Sequence, residues 1–254
     1  MTAAASMTAL AGWEAYDLLQ HGLAQRHYGQ ALSLAKRADE PLTAAWVLSM
    51  LSQLAIDCQD PVLAKRLARA AVQAGERADA TPRTRAGLLL REARATALGV
   101  QLADTHDAHD ARRVQLLLAQ VDREMDRARD GDDDPVWTLD LGPAEVAAEA
   151  GCAWHMLGEH DRAAEYAEYA IKRFGPQFPR SRQFNFVHRA QALAAMGELD
   201  AALDSAKTAV SAANGLSSRR SAQLLQAFTA SLPGTEQRVR EWREQMRTEL
   251  RLIA

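Results

Sequence analysis

One stretch of the chain is written twice, and that constrains the fold more than any single residue. MLGEHDRAAEYAEYAIKRF, at 156–174, returns as AMGELDAALDSAKTAVSAA at 195–213. Aligned on Gly158 and Gly197, both copies read Gly, Glu, a free position, Asp, then Ala163 or Ala202, with Ala167 and Ala170 or Ala206 and Ala209 following. Glycine suits the left-handed position that ends one helix, the acidic residues suit the positive end of the next, and the alanines let two helix backbones approach closely. Each copy therefore predicts a helical hairpin.

Related spacing lies upstream. In RHYGQALSLAKRA, Ala31, Ala35 and Ala38 take the small positions and Tyr28 the turn aromatic, and in CQDPVLAKRLARAAVQA the small positions are Ala64, Ala68 and Ala71. The intervals, 33 residues from Ala31 to Ala64 and 39 from Ala163 to Ala202, fall near the repeat of about 34 residues that marks helical arrays. The Pro-rich GPQFPRSR accounts for the longer one as a loop between hairpins. TRAGLLLREARATALGV and DARRVQLLLAQVDREMDRAR supply a further, degenerate pair. At the end, Leu224, Leu225 and Phe228 form one apolar stripe and Val239, Trp242, Met246 and Leu250 another, on a polar-backed closing helix of the kind a solenoid needs.

Composition limits the alternatives. The chain has 254 residues, 48% of them hydrophobic, enough for a sizeable core. A net charge of -3 offers no electrostatic footprint for phosphate backbones or anionic lipid, so direct nucleic-acid or membrane binding is not expected. Cys58 and Cys152 are too few for a disulfide framework, and with no basic leader or long apolar run the chain reads as cytoplasmic.

The apparent chemical motifs fail on spacing. In DTHDAHDAR, His106, His109 and Asp110 with Asp104 and Asp107 could face one helical turn, but no further ligand is implied, and a solvated helix start is the better reading. His155 and His160 in HMLGEH stand five apart, which does not put two imidazoles on one helical face. DGDDDPVWTLDL opens like a calcium loop, yet has Pro135 where glycine is needed and Leu141 where a bidentate Glu should sit; its acidic run instead leads into a turn where Trp137 packs on a neighbouring hairpin. Ser217 or Ser218 reads as a helix cap with Arg219 and Arg220 facing water, and Arg180, Arg182 and Arg189 beside Phe184 and Phe186 lack the wider basic surface of a nucleic-acid groove. No nucleophile elbow, P-loop or dinucleotide fingerprint appears, so no enzyme, cofactor or metal is expected.

The segment with Gly151 and Trp154 in the first-helix small and aromatic positions, followed in register by Gly158, Ala163 and Ala170, resembles tetratricopeptide repeats. Across nearly the whole chain, GWEAYD, ALSLA, DPVW, AAEAGCAWHMLGEHDRAAEYAEYAI, GELDAAL and LSSRR resemble the carboxy-terminal regulatory region of Cro/CI-type helix-turn-helix transcriptional regulators of high-GC Gram-positive bacteria. In that family the region follows a DNA-binding domain, which the first 12 residues are too short to hold. The resemblance implies a regulatory, ligand-sensing or oligomerising module without the family's DNA contacts.

The expectation is thus an all-α, tetratricopeptide-like α-solenoid of about five helical hairpins plus a carboxy-terminal capping helix. It forms one domain, with halves at 1–130 and 144–254 joined by a loop at 131–143. The repeat register puts Trp13, Tyr16 and Gln20, then Trp46, Ser49, Gln53 and Asp57, then Glu145, Cys152 and His155, then Phe184, Val187 and Gln191 on the concave side. Aromatics there bury area at little rotamer cost and amides pair with an extended backbone. The function expected is docking of a peptide, protein partner or signalling ligand, with a small-molecule sensor or cryptic enzyme closing over a pocket near Trp137 and His155 as the alternative. Trp242 and Met246 either form a homodimer seam or cap the core.

Overall fold

Prolines start five of the described helices. Pro41, Pro61, Pro82, Pro143 and Pro179 each occupy the first helical turn, where the missing N–H costs nothing and the fixed φ is already helical. Asp60 and Thr81 add side-chain caps, accepting from the backbone N–H of Leu63 and Thr84. A computed structural model describes residues 2–103, 108–213, 218–234 and 236–253, with backbone alone for 248–253. Asp104, His106, Asp107, Ser217 and the Leu250 side chain, all weighed above, lie outside the described residues.

The described residues form twelve α-helices and one short 3-10 turn, with no strand. The fold is an all-α, tetratricopeptide-like α-solenoid, and it divides into two compact units, Met1–Gly158 and Glu159–Ala254. In the first unit, α1 (Thr2–Asp17), α2 (His21–Arg37), α3 (Pro41–Asp57), α4 (Pro61–Arg77), α5 (Pro82–Leu102) and α6 (Ala108–Arg127) pack each on the next, and α7 (Pro143–Met156) packs on α5. The odd-numbered helices α1, α3, α5 and α7 also touch in series, forming one wall. In the second unit, α8 (His160–Arg173) packs on α9 (Pro179–Ala195), α9 on α10 (Leu199–Ala213) and α11 (Arg219–Ser231), and α12 (Gln237–Ile253) on α10 and α11.

The repeat in the first 80 residues is longer than the 33-residue interval suggests. Leu19, Asp39, Gln59 and Asp79 all have positive φ, between 48° and 60°, and they stand 20 residues apart. At each corner the next residue's N–H bonds back across the turn: Gln20 to Ala15, Glu40 to Ala35, Asp60 to Ala55 and Ala80 to Gly75. These bonds close each helix with the left-handed cap that satisfies its last carbonyls. The hairpin period is therefore 40, and Ala24, Tyr28, Ala31 and Ala35 of α2 correspond to Ala64, Ala68, Ala71 and Gly75 of α4. Aligning Ala31 with Ala64 slips the register by nearly two turns, because alanines at i, i+4 and i+7 match one another at several offsets. The Gly158 and Gly197 corners have φ of 81° and 82°, as the duplicated stretch predicts.

The packing seams are made of small residues. Ala24, Ala31, Ala35, Ala64, Ala68 and Ala71 are fully buried, and a Cβ added at Gly12 would lie 2.7 Å from the Tyr28 ring. Glu92 of α5 is buried too, and Arg113 (3.0 Å) and Arg69 (3.7 Å) bring guanidinium groups to it from α6 and α4. Of the two expectations for the terminal helix, the structure takes the capping one. Val239, Trp242 and Met246 are buried with Leu225 and Phe228 in the second unit's core, so the seam suggested for a homodimer is occupied within the chain. Ser218 caps α11 through the Ser221 N–H.

Gly12→Val is expected to destabilise the chain by about 1–3 kcal/mol through overpacking. Gly29→Ala, with nothing within 4 Å of the new methyl, is expected to stabilise it by roughly 0.5–1 kcal/mol. Urea unfolding of both variants measures the contrast; equal effects of one sign would contradict the packing.

Candidate inner-wall site

Counting from the proline that opens each wall-type helix gives the functional register. Twelve residues after Pro41, Pro82, Pro143 and Pro179 stand Gln53, Arg94, His155 and Gln191. Nine residues after them stand Met50, Arg91, Cys152 and His188, and five after Pro41 and Pro179 stand Trp46 and Phe184. These offsets share one helical face.

In the first unit this face carries a hydrogen-bonded line across four helices. The Tyr16 hydroxyl donates to Asp57 Oδ2, and Gln53 Nε2 donates to Asp57 Oδ1 at 2.8 Å. Gln53 Oε1 accepts from Arg91 Nη1 and, at 3.0 Å, from Arg94 Nη1. Both guanidinium groups reach Glu149 Oε2 on α7, Arg94 at 2.9 Å and Arg91 at 3.3 Å. Trp13 lies beside this line, its ring tilted on Tyr16 with centroids 5.4 Å apart. Trp46 stacks nearly parallel on Trp137 from the 3-10 segment, 6.0 Å between centroids, which places Trp137 on a neighbouring hairpin as expected.

Two like charges this close need compensation. For Arg94 burial is the largest influence and disfavours its charge, but the Glu149 charge and hydrogen bond outweigh it and hold the group well above the usual guanidinium range. For Arg91 burial prevails, and its neighbour Arg94 adds to it, lowering the group despite Glu149. The one Glu149 carboxylate thus serves both guanidinium groups, more closely that of Arg94 than that of Arg91.

The structure brings Tyr16, Gln53 and Asp57 together and sets Trp13 against Tyr16. Gln20 is placed differently: it is exposed in the turn after α1, where its main chain caps the helix. Glu145 and His155 stand half-buried at the first and last turns of α7, on either side of Glu149 and Cys152. Ser49 is buried, its hydroxyl donating to the Trp46 carbonyl. In the second unit the guanidinium groups of Arg180 (5.6 Å) and Arg220 (5.3 Å) both lie over the Phe184 ring. There His188 Nδ1 stands 3.1 Å from Gln191 Oε1. Arg182 donates to the Ile171 and Phe174 carbonyls at the end of α8.

Sequence reading missed Arg91, Arg94 and Glu149. The signal was present in the proline count, which gives Arg94 the position of Gln53. It also missed Cys58 Sγ at 3.6 Å from His21 Nδ1. Burial, then the Asp57 and Asp60 carboxylates, push this thiol up, which disfavours its thiolate. Among the described residues no three His, Cys, Asp or Glu side chains stand together as metal ligands would, and Asp110 is bonded to Lys65. No helix among them is long and apolar enough to cross a membrane.

No family model matches the chain, and no curated protein matches it. Among solved structures it is similar to the TPR2AB domain of yeast Sti1 in its pHSP90 complex, at 15% identity over 89% of this chain and 98% of that one, with a TM-score of 0.30. A similarity so distant does not bear on what the chain binds.

Glu149→Ala is expected to destabilise the chain by about 1–3 kcal/mol, because it leaves two guanidinium groups facing one amide oxygen. Thermal unfolding followed by circular dichroism checks this, and an unchanged midpoint would refute the network's role. Iodoacetamide at pH 7 should modify Cys58 more slowly than the thiol of an unstructured peptide; a faster rate would mean an activated thiolate.

Proposed function

We propose that the chain is a non-catalytic interaction module whose inner wall docks an extended segment of a peptide or protein partner, in the regulation of transcription. The line from Tyr16 through Asp57, Gln53, Arg91 and Arg94 to Glu149 is the observation that carries this reading. It sets amide, carboxylate and guanidinium groups in a row across successive helices, with Trp13 and Trp46 beside it. An extended main chain presents alternating donors and acceptors, and a row of mixed polar groups can pair with them while aromatic rings supply contact area. The regulatory setting follows from the resemblance to Cro/CI-type regulators. A cytoplasmic location accords with that setting.

Peptide display on the full chain, followed by calorimetry of the selected peptides, tests the reading. Gln53→Ala and Arg94→Gln are expected to weaken those peptides roughly tenfold or more, equivalent to about 1.4 kcal/mol. Arg66→Ala, on the exposed side of α4, should leave them unchanged. Peptides indifferent to both wall substitutions, or none selected at all, would overturn the proposal.

A further inference from the structure

Residues 134–141 lie on the inner wall of the first unit in the way a bound peptide would. The Asp134 carboxylate is nearly buried, 4% exposed. It accepts from the hydroxyl of Thr81, the capping residue of α5, and from Arg83 Nε at 2.7 Å. Three residues on, Trp137 stacks on Trp46 and packs on the apolar cluster of Ala45, Ala71 and Leu88. The Leu141 carbonyl accepts from Arg83 Nη1 at 3.2 Å, and the Leu141 side chain covers Gly87, where an added Cβ would be 3.3 Å away. Gly87 and Trp46 hold the same position in their helices, five residues after the opening prolines. The segment therefore covers the first inner-wall position of both α3 and α5, while Val136 and Leu139 point outward, 83% and 57% exposed.

We infer that this end of the wall is a docking site for a peptide bearing a carboxylate and, three residues later, an aromatic ring, and that Asp134 and Trp137 fill it in cis. The acceptor is built for that ligand. A carboxylate at the amino terminus of α5 meets a capping hydroxyl, a guanidinium and the positive end of the helix, and the Trp46 face meets a flat ring. Because the segment is tethered, it competes at an effective concentration on the order of millimolar, so a partner with the same pattern binds only by displacing it. This inference rests on the inner wall being a peptide-docking surface and adds which chemistry one end of it selects.

The test uses the full chain and a synthetic peptide of sequence DDDPVWTLDL, copied from 132–141. The double variant Asp134→Ala, Trp137→Ala is expected to bind this peptide roughly tenfold or more tighter than the unaltered chain does. Binding should be lost on adding Arg83→Ala, or when the peptide's third Asp and its Trp are both Ala. Equal affinity for the variant and the unaltered chain, or for the two peptides, overturns the inference. Should the double variant fail to fold, hydrogen exchange of the unaltered chain decides. A millimolar excess of the peptide should speed exchange across 136–141, and no change there overturns the inference. If the display-selected peptides still depend on Gln53 and Arg94 after such a failure, only this inference falls and the docking function stands.

Discussion

Close approach of helix pairs through alanine and glycine is the contact on which the rest depends. Gly12 against the Tyr28 ring and Gly75 against Leu88 leave no room for a side chain, and the seam alanines Ala24, Ala31, Ala35, Ala64, Ala68 and Ala71 are buried completely. Such seams favour dispersion contacts between backbones over large interlocking side chains, and any added volume must be absorbed by shifting a helix. Because each hairpin has this seam, the odd-numbered helices of the first unit arrive side by side. Their facing sides then form a continuous, largely half-buried wall.

Polar groups can occupy that wall because its members satisfy one another. Arg91 and Arg94 would be costly on a buried face alone; Gln53 and Glu149 compensate them from neighbouring helices. The arrangement cross-links α3, α5 and α7, and through Tyr16 and Asp57 it reaches α1. Its register follows the prolines that open α3, α5 and α7 and the corners at fixed intervals, so the position of a functional side chain on those helices follows from where its helix begins. The same economy explains the segment at 134–141: the capping hydroxyl that starts α5 also receives a carboxylate from the loop.

The duplicated stretch made the helical fold legible, since glycine followed by acids and spaced alanines leaves few other solutions. Trp137 as a packing residue and Ser218 as a cap were legible from local chemistry as well. The repeat length at the amino terminus was not, because degenerate alanine spacing fits 33 and 40 alike and the deciding corners are not glycine. Leu19 and Gln59 adopt positive φ where their residue types give little sign of it. On the wall, Gln53, Asp57 and Tyr16 were legible as helix-face polar and aromatic residues. Arg91 and Arg94 were obscured because LLLREARATALGV reads as an ordinary amphipathic helix with solvated arginines. Only the packing of α7 on α5 reveals that those arginines face Glu149. Gln20 stands in the turn instead, three residues past the end of α1, a boundary the helical spacing alone does not mark.

Proton–proton contacts within the seams test the account most directly. In an NMR spectrum of the full chain, the α-protons of Gly12 should show strong cross-relaxation with the Tyr28 ring, and those of Gly75 with the Leu88 methyls. Absence of both cross-peaks in a chain that retains its helical content would contradict close pairing, and with it the serial wall.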